Sequence, residues 1–167
     1  MHPTCDTFYY KGIKIYAEWY PTNNLPKGMV HSQVYGVCFK NDGKILINRS
    51  SDGLSWSLPG GKPEKNEIFS DTLIREVDEE SSVDIWHPKI LGYVKSQYRD
   101  EKGYHVIYQL RCAAMVRKVK KLVKDSDSGT LRKRRFINPK NFEKYIHWGR
   151  IGKEIMHSAK LYYEKSD

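Results

Sequence analysis

Glu76, Glu79 and Glu80 are the residues whose type and spacing could do chemistry. On a helix turning about 100° per residue, positions i, i+3 and i+4 lie within an arc of roughly 100°. The periodicity predicts a helix from about Asn66 to Ser81, which crowds these carboxylates onto one face. Like charges at that spacing repel by roughly a few tenths of a kcal/mol per pair, and by more where water is scarce. A counter-cation resolves the repulsion. Phe69, Leu73 and Val77 run along the same helix, and Glu80 projects between the directions of Leu73 and Phe69. A solvated acidic face, the commonest fate of Glu runs, sets its acids opposite the apolar stripe. Here one acid falls within the stripe and the others on its edge, which favours a carboxylate site for a hard cation, Mg²⁺ or Mn²⁺.

The stretch from Leu58-Pro59-Gly60-Gly61 through Arg75-Glu76-Val77-Asp78-Glu79-Glu80 to Val83 resembles the signature of the Nudix hydrolases, G-x5-E-x7-R-E-U-x-E-E-x-G-U with U aliphatic. Gly61, Glu67, Arg75, Glu76, Glu79 and Glu80 stand at the fixed positions, and Val77 and Val83 at the aliphatic ones. Six fixed matches at preset spacing arise by chance about once in 10⁵ chains of this length. One position departs: Ser82 stands where the family has glycine. A left-handed backbone there costs a serine roughly 1 kcal/mol, a matter of stability and of the path of the turn.

The resemblance implies an α/β fold, the Nudix-type α/β/α sandwich with a mixed sheet. It also implies metal-dependent cleavage of a diphosphate linkage in a nucleoside di- or triphosphate or a nucleoside diphosphate derivative. The alternatives are a dinucleoside polyphosphate or RNA 5′-end pyrophosphohydrolase, or a non-catalytic nucleotide- or RNA-binding module. Carried onto this chain, Glu76, Glu79, Glu80 and the Gly60 carbonyl would hold metal, and Glu79 or Glu76 would act as general base. Arg75, at i, i+4 from Glu79, would fix its rotamer, and Glu67 would brace the site. Arg49 is a candidate for substrate phosphates, and Tyr98 for the tyrosine of dinucleoside-polyphosphate-cleaving members. Many members carry a further carboxylate ligand after the box, for which Asp100, Glu101, Asp125 and Asp127 are the available acids.

The 167 residues suit one domain, burying about 70% of the surface of the unfolded chain, with residues 1–28 as an N-terminal hairpin extension. No basic n-region with an apolar core opens the chain and no run approaches 18 apolar residues, so the expectation is a soluble, cytoplasmic protein. Cys5, Cys38 and Cys112 are too few and too scattered for a disulfide framework or a zinc site. The net charge is +9 although the box is acidic, so positive charge concentrates elsewhere and attracts polyanions. The resemblance implies a small nucleotide or diphosphate substrate; the basic charge adds RNA as a partner class, a homodimer is a further expectation, and no membrane is expected.

Around the box, Phe8–Tyr10 and Ile13–Tyr20 read as a hairpin about Lys11-Gly12, and Val30–Lys40 and Lys44–Arg49 as a second one about Asn41-Asp42-Gly43. Trp56 reads as core or as a wall of the pocket. Ile90–Tyr98 and Tyr104–Val116 read as strands, 125–129 as a flexible loop, and Ile151–Tyr163 as a helix packing on the sheet. The run Arg132-Lys133-Arg134-Arg135 is either solvated charge or a holder of anionic substrate. A nucleic-acid-binding module would use the basic segments without turnover, and a protein-interaction scaffold has no specific feature in its favour. Neither needs a crowded acidic face.

Overall fold

Apolar residues dominate both faces of the central strands, as a sheet covered on both sides requires, with Asn48 and Arg111 as buried polar exceptions. The computed structural model describes residues 2–49, 53–124, 129 and 133–166. In chain order they form β1 (Thr4–Tyr10), β2 (Ile13–Tyr20), β3 (Gln33–Phe39), β4 (Ile45–Arg49), β5 (Trp56–Ser57), β6 (Gly60–Gly61), α1 (Phe69–Ser81), β7 (Val83–Asp100), β8 (Gly103–Val119) and β9 (Arg134–Ile137). A 3-10 turn at Pro139–Asn141, the short α2 (Phe142–Tyr145) and α3 (Gly149–Glu164) follow.

The sheet order is β1-β2-β7-β8-β3-β4-β5, with β6 paired to β3 and β9 to β4. It is mixed, because β3 and β8 run parallel while the other pairs are antiparallel. Alternation along the strands assigns each helix its face. Val34 and Cys38 of β3, Leu46 of β4 and Leu110 and Cys112 of β8 pack with Leu73 and Val77 of α1. Val37, Phe39, Ile45, Ile47 and Ala113 point the other way, onto Ile151, Ile155 and Ala159 of α3. The result is an α/β/α sandwich. The N-terminal hairpin forms as its Lys11-Gly12 turn indicates and joins the sheet through β2 and β7.

Several boundaries differ from the sequence reading: β1 begins at Thr4 rather than Phe8, and β3 spans Gln33–Phe39 rather than Val30–Lys40. The box helix begins at Phe69 rather than near Asn66, whose φ of 69° places it in a turn. β7 and β8 are longer than expected and leave a shorter turn between Asp100 and Gly103. β9, Arg134–Ile137, takes in the end of the basic run and the two residues after it, where the sequence had set no strand bounds. Of the acids considered as a further ligand, Asp125 and Asp127 lie outside the described residues, as do residues 125–128 of the expected loop and Arg132 of the basic run.

Candidate active site

The turn at Asn41–Gly43 closes as expected, with the Lys40 amide donating to Lys44 O at 2.8 Å. Beyond it the strands separate, and Phe39 opposite Ile45 is the pairing between β3 and β4. β4 turns to β9 and β5, and the edge of β3 so released takes β6, with Val34 opposite Gly61 and Tyr35 opposite Gly60. This parting of two neighbouring strands admits the Leu58–Gly61 loop to the N-terminal part of the sheet centre, beneath α1. Gly60 has φ 148°, and an added Cβ would lie 2.1 Å from Val34 O. At Gly61 a Cβ would lie 2.3 Å from Oε1 of Glu76. The two glycines are what lets a backbone and a carboxylate share that space.

Arg75 is the hub of the acidic face. Its Nε donates to Glu67 Oε1 at 2.7 Å, NH1 to Glu76 Oε1 at 3.0 Å and Glu79 Oε2 at 3.1 Å, and NH2 to Glu67 Oε2 at 2.9 Å and Lys62 O at 3.0 Å. Glu67 also accepts from the Glu64 amide and the Thr72 hydroxyl, tying the start of α1 to the preceding turn. The Arg75 hydrogen bond holds the Glu67 carboxyl down at about 2, and the same contacts push the Arg75 guanidinium upward.

Glu80 is held from the sheet side. Its Oε2 accepts from Asn48 Nδ2 at 2.8 Å and from the Gly60 amide at 3.0 Å. It thus occupies the apolar side of α1, between helix and sheet. Burial raises the pKa of Glu76, and Glu80 and Glu79 push it further up against the Arg75 hydrogen bond. Glu67, Glu76, Glu79 and Glu80 together outnumber the single guanidinium among them.

The donors here are all oxygen, and Glu76 lies in a cradle that a Cβ on Gly61 would fill, so the set fits a hard divalent cation. Among the described residues no group of three acids, histidines or cysteines stands as a ready ligand cage. The cause is visible: Arg75 draws Glu76 and Glu79 to one side, while Asn48 and Gly60 draw Glu80 to the other.

Asn48 and Arg134 gave no signal by spacing. Asn48 is 2% exposed and breaks the apolar run of β4 on the side facing α1, which is the mark by which it could have been found. Arg134 NH1 donates to the carbonyls of Ser81 and Ser82 and NH2 to Lys120 O, so it closes the C-terminus of α1. Ser82 there has φ 51° and ψ 49°, the left-handed conformation expected for the family's glycine. Lys120 bridges Asp78 at 2.5 Å and Asp84 at 2.8 Å. Together with Lys121 and Lys124 it lines a depression of about 460 Å³ that includes Glu79, so part of the basic charge borders the acids.

The two substrate candidates lie apart from one another. Arg49 donates to the carbonyls of Gly53 and Leu54 and sits 4.9 Å over the Trp56 ring, which Arg135 also faces at 5.2 Å. Trp56 packs partly buried against the α3-side core. Tyr98 stacks on His105 at 4.8 Å near the far end of β7, and no carboxylate of the box is among its described contacts. Asp100 is engaged by His105 at 2.7 Å, and Glu101 lies exposed in the adjoining turn. Cys38 and Cys112 are buried free thiols. No helix among the described residues is long and apolar enough to cross a membrane.

The NUDIX domain family profile matches residues 29–153, leaving the N-terminal hairpin outside the match. The chain is 35% identical over 71 residues to a MutT-like protein of Streptomyces ambofaciens, covering 42% of this chain and 46% of that protein. It is 30% identical over 79 residues to an 8-oxo-dGTP diphosphatase of Proteus vulgaris, covering 46% and 70% of the two chains. The chain thus spans about half the length of the Streptomyces relative. Among solved structures, the Bacillus subtilis pyrophosphohydrolase BsRppH superposes with a TM-score of 0.70 at 20% identity, covering 97% of this chain and 98% of that one. A MutT protein from Bacillus halodurans gives 0.54 at 16% identity, over 78% and 84%. With three quarters of its length matched to the family and the box carboxylates gathered about Arg75 and Gly61, the chain belongs to the Nudix hydrolase family.

Proposed function

We propose that this protein hydrolyses a diphosphate linkage in a nucleoside di- or triphosphate or a nucleoside diphosphate derivative, with Mg²⁺ or Mn²⁺ as cofactor. The observation that carries the reading is the set of three carboxylates on one helix, Glu80 at the Gly60 amide, Glu76 against Gly61 and Glu79 held on Arg75, in excess of the one positive charge that Arg75 supplies. Glu76, Glu79, Glu80 and the Gly60 carbonyl would hold the cation, which when bound supplies Lewis acidity and charge neutralisation to the phosphoryl group.

The protein's own groups do the rest. Water adds to phosphorus, and the bridging P–O bond breaks with its electron pair on the departing phosphate. The proton of the water passes to a carboxylate. We assign that role to Glu79, with Glu76 as the alternative; supporting it, Arg75 holds the Glu79 Oε2 at 3.1 Å and the Glu79 side chain is more exposed than that of Glu76, at 27% against 16%. Glu67 acts through Arg75 as a brace. Lys121 and Lys124 border Glu79 and would attract the phosphates, and Arg49 contributes a cation at the entry of the loop before Trp56. Three free cysteines, two of them buried, suit a reducing cytoplasmic setting.

The test is product analysis after incubation with nucleoside triphosphates, nucleoside diphosphate derivatives, dinucleoside polyphosphates and 5′-triphosphorylated RNA, each with Mg²⁺ or Mn²⁺. Glu79→Gln keeps the shape and removes the charge, and its kcat should fall by about two orders of magnitude or more with the fold intact. Near-native turnover in that variant would remove Glu79 from the mechanism. For Tyr98→Phe the expected result is unchanged turnover on nucleoside triphosphates; a loss confined to dinucleoside polyphosphates would assign it to that substrate class.

A further inference from the structure

Among the described residues, Arg111 is a buried charge without an acid partner. It lies on β8 in register with Tyr35 of β3 and is 5% exposed. Buried guanidinium groups are ordinarily paired with an acid. The described contacts of this one include no carboxylate: NH1 donates to Leu110 O at 3.2 Å, NH2 to Gln109 Oε1 at 3.0 Å, and Nε has no partner. Two aromatic rings, Tyr35 and Trp148, each lie 4.9 Å from its carbon Cζ. They make the buried charge tolerable but leave its N–H donor unfilled.

The place is on the α3 face of the sheet, where Tyr35 and Trp148 pack, and it meets the acidic centre through the sheet where β6 pairs with β3. Tyr35 is in register with Gly60, whose amide holds Glu80. Burial raises the Tyr35 pKa and Arg111 opposes it, while Glu80 and Glu76 lie near enough to raise it further. The cover on the other side is a half-buried ring at a joint. Trp148 lies between α2 and α3, its amide bonded to Ile146 O at 3.0 Å, and the next residue, Gly149, has φ 54°.

We propose that Arg111 is the specificity-determining residue of this site, receiving the acceptor edge of a guanine-type base that enters as the Trp148 ring turns aside. The inference rests on the nucleotide-hydrolase reading and names the base. Aromatic walls select a planar ligand, and a donor-only guanidinium selects acceptors. Guanine presents O6 and N7 together on one edge, whereas adenine sets an amino donor beside N7, against the N–H groups of Arg111.

The experiment compares wild type, Arg111→Met and Arg111→Lys. It measures kcat and KM for GTP and ATP, the melting temperature of each protein, and the thermal shift given by GMP and AMP without metal. Wild type should favour GTP by roughly tenfold or more in kcat/KM and be stabilised by GMP over AMP. Both variants should lose the preference, with the loss in KM rather than kcat, because lysine keeps the charge without the planar fork. Arg111→Met should melt no lower than wild type, since it removes an unpaired buried charge. If Met fails to fold, the lysine variant decides. An unchanged GTP-to-ATP ratio, or an equal fall for both bases with a lowered melting temperature, would make Arg111 a structural pillar and overturn the proposal. If wild type turned over no nucleotide, the hydrolase reading would fall separately; a GMP shift abolished in both variants would still support Arg111, and equal GMP and AMP shifts would overturn it.

Discussion

The guanidinium of Arg134 donates to the carbonyl oxygen of Ser82 at 3.1 Å and so closes the end of the helix that bears the glutamates. It also reaches the carbonyls of Ser81 and Lys120, while burial pulls its pKa down. Of the basic run considered as a holder of substrate, this member is therefore committed to structure. Arg134→Ser should lower unfolding stability by about 1–3 kcal/mol, read as a shift in urea midpoint. The salt dependence of kcat/KM should not change. A flattened salt dependence at unchanged stability would return Arg134 to the substrate.

Gly61→Ala separates fold from chemistry. An added Cβ would lie 2.3 Å from Glu76 Oε1 and 2.4 Å from its Cδ, so the carboxylate must move while the backbone can stay. Stability should change by less than about 1 kcal/mol, because a flexible side chain gives way. Turnover should fall by about a hundredfold or more, since displacement of about 1 Å costs that much. A variant with native kcat would show that Glu76 functions elsewhere.

Glu67 predicts an acid limb in stability. Its folded pKa is depressed to about 2 by Arg75, against about 4.3 for a free glutamate. A depressed carboxyl contributes stability above the unfolded value and loses it as pH falls toward the folded one. Unfolding free energy should therefore rise with pH across that window. Glu67→Gln should show a shallower rise, checked by urea titrations from about pH 2 to about pH 5, which brackets those two values. Parallel curves for the two proteins would contradict the pairing.

Ser82 carries strain and a compensation for it. Its left-handed φ of 51° favours glycine, but its hydroxyl accepts from the Val123 amide at 3.1 Å. Ser82→Gly gains and loses similar amounts and should stay within about 1 kcal/mol of wild type. Ser82→Ala keeps the strain and loses the acceptor, so it should be less stable than Ser82→Gly by about 1 kcal/mol. Equal melting temperatures for the two variants would mean that the turn relaxes.

What the sequence reveals here depends on how local the constraint is. Glu76, Glu79 and Glu80 were legible because one helix fixes their mutual directions, and α1 and α3 follow from apolar repeats. The wrap of Arg75 back to Glu67 was only half legible: helical spacing sets Glu79 beside it, but the turn at Glu64–Glu67 decides where Glu67 lands. Asp42-Gly43 announces a turn equally well whether the strands beyond it stay paired or part, so the entry of β6 beside β3 could not be read. β9 escaped for another reason. Two of its four residues are arginines whose partners, Ser82 and Tyr145, are distant in sequence or unmarked by any pattern.

β3 and β8 lie side by side and parallel, Gln33 against Gln109, with no turn to join them. An antiparallel pair can zip outward from its hairpin, whereas this pair must wait for most of the chain to exist. During synthesis the glutamate helix therefore emerges well before the strand that completes the middle of the sheet. Until then β3, with Val34, Val37, Cys38 and Phe39 all destined for full burial, is an uncovered edge that is apolar on both faces. That strand is where a stalled or crowded nascent chain would first pair with the wrong neighbour.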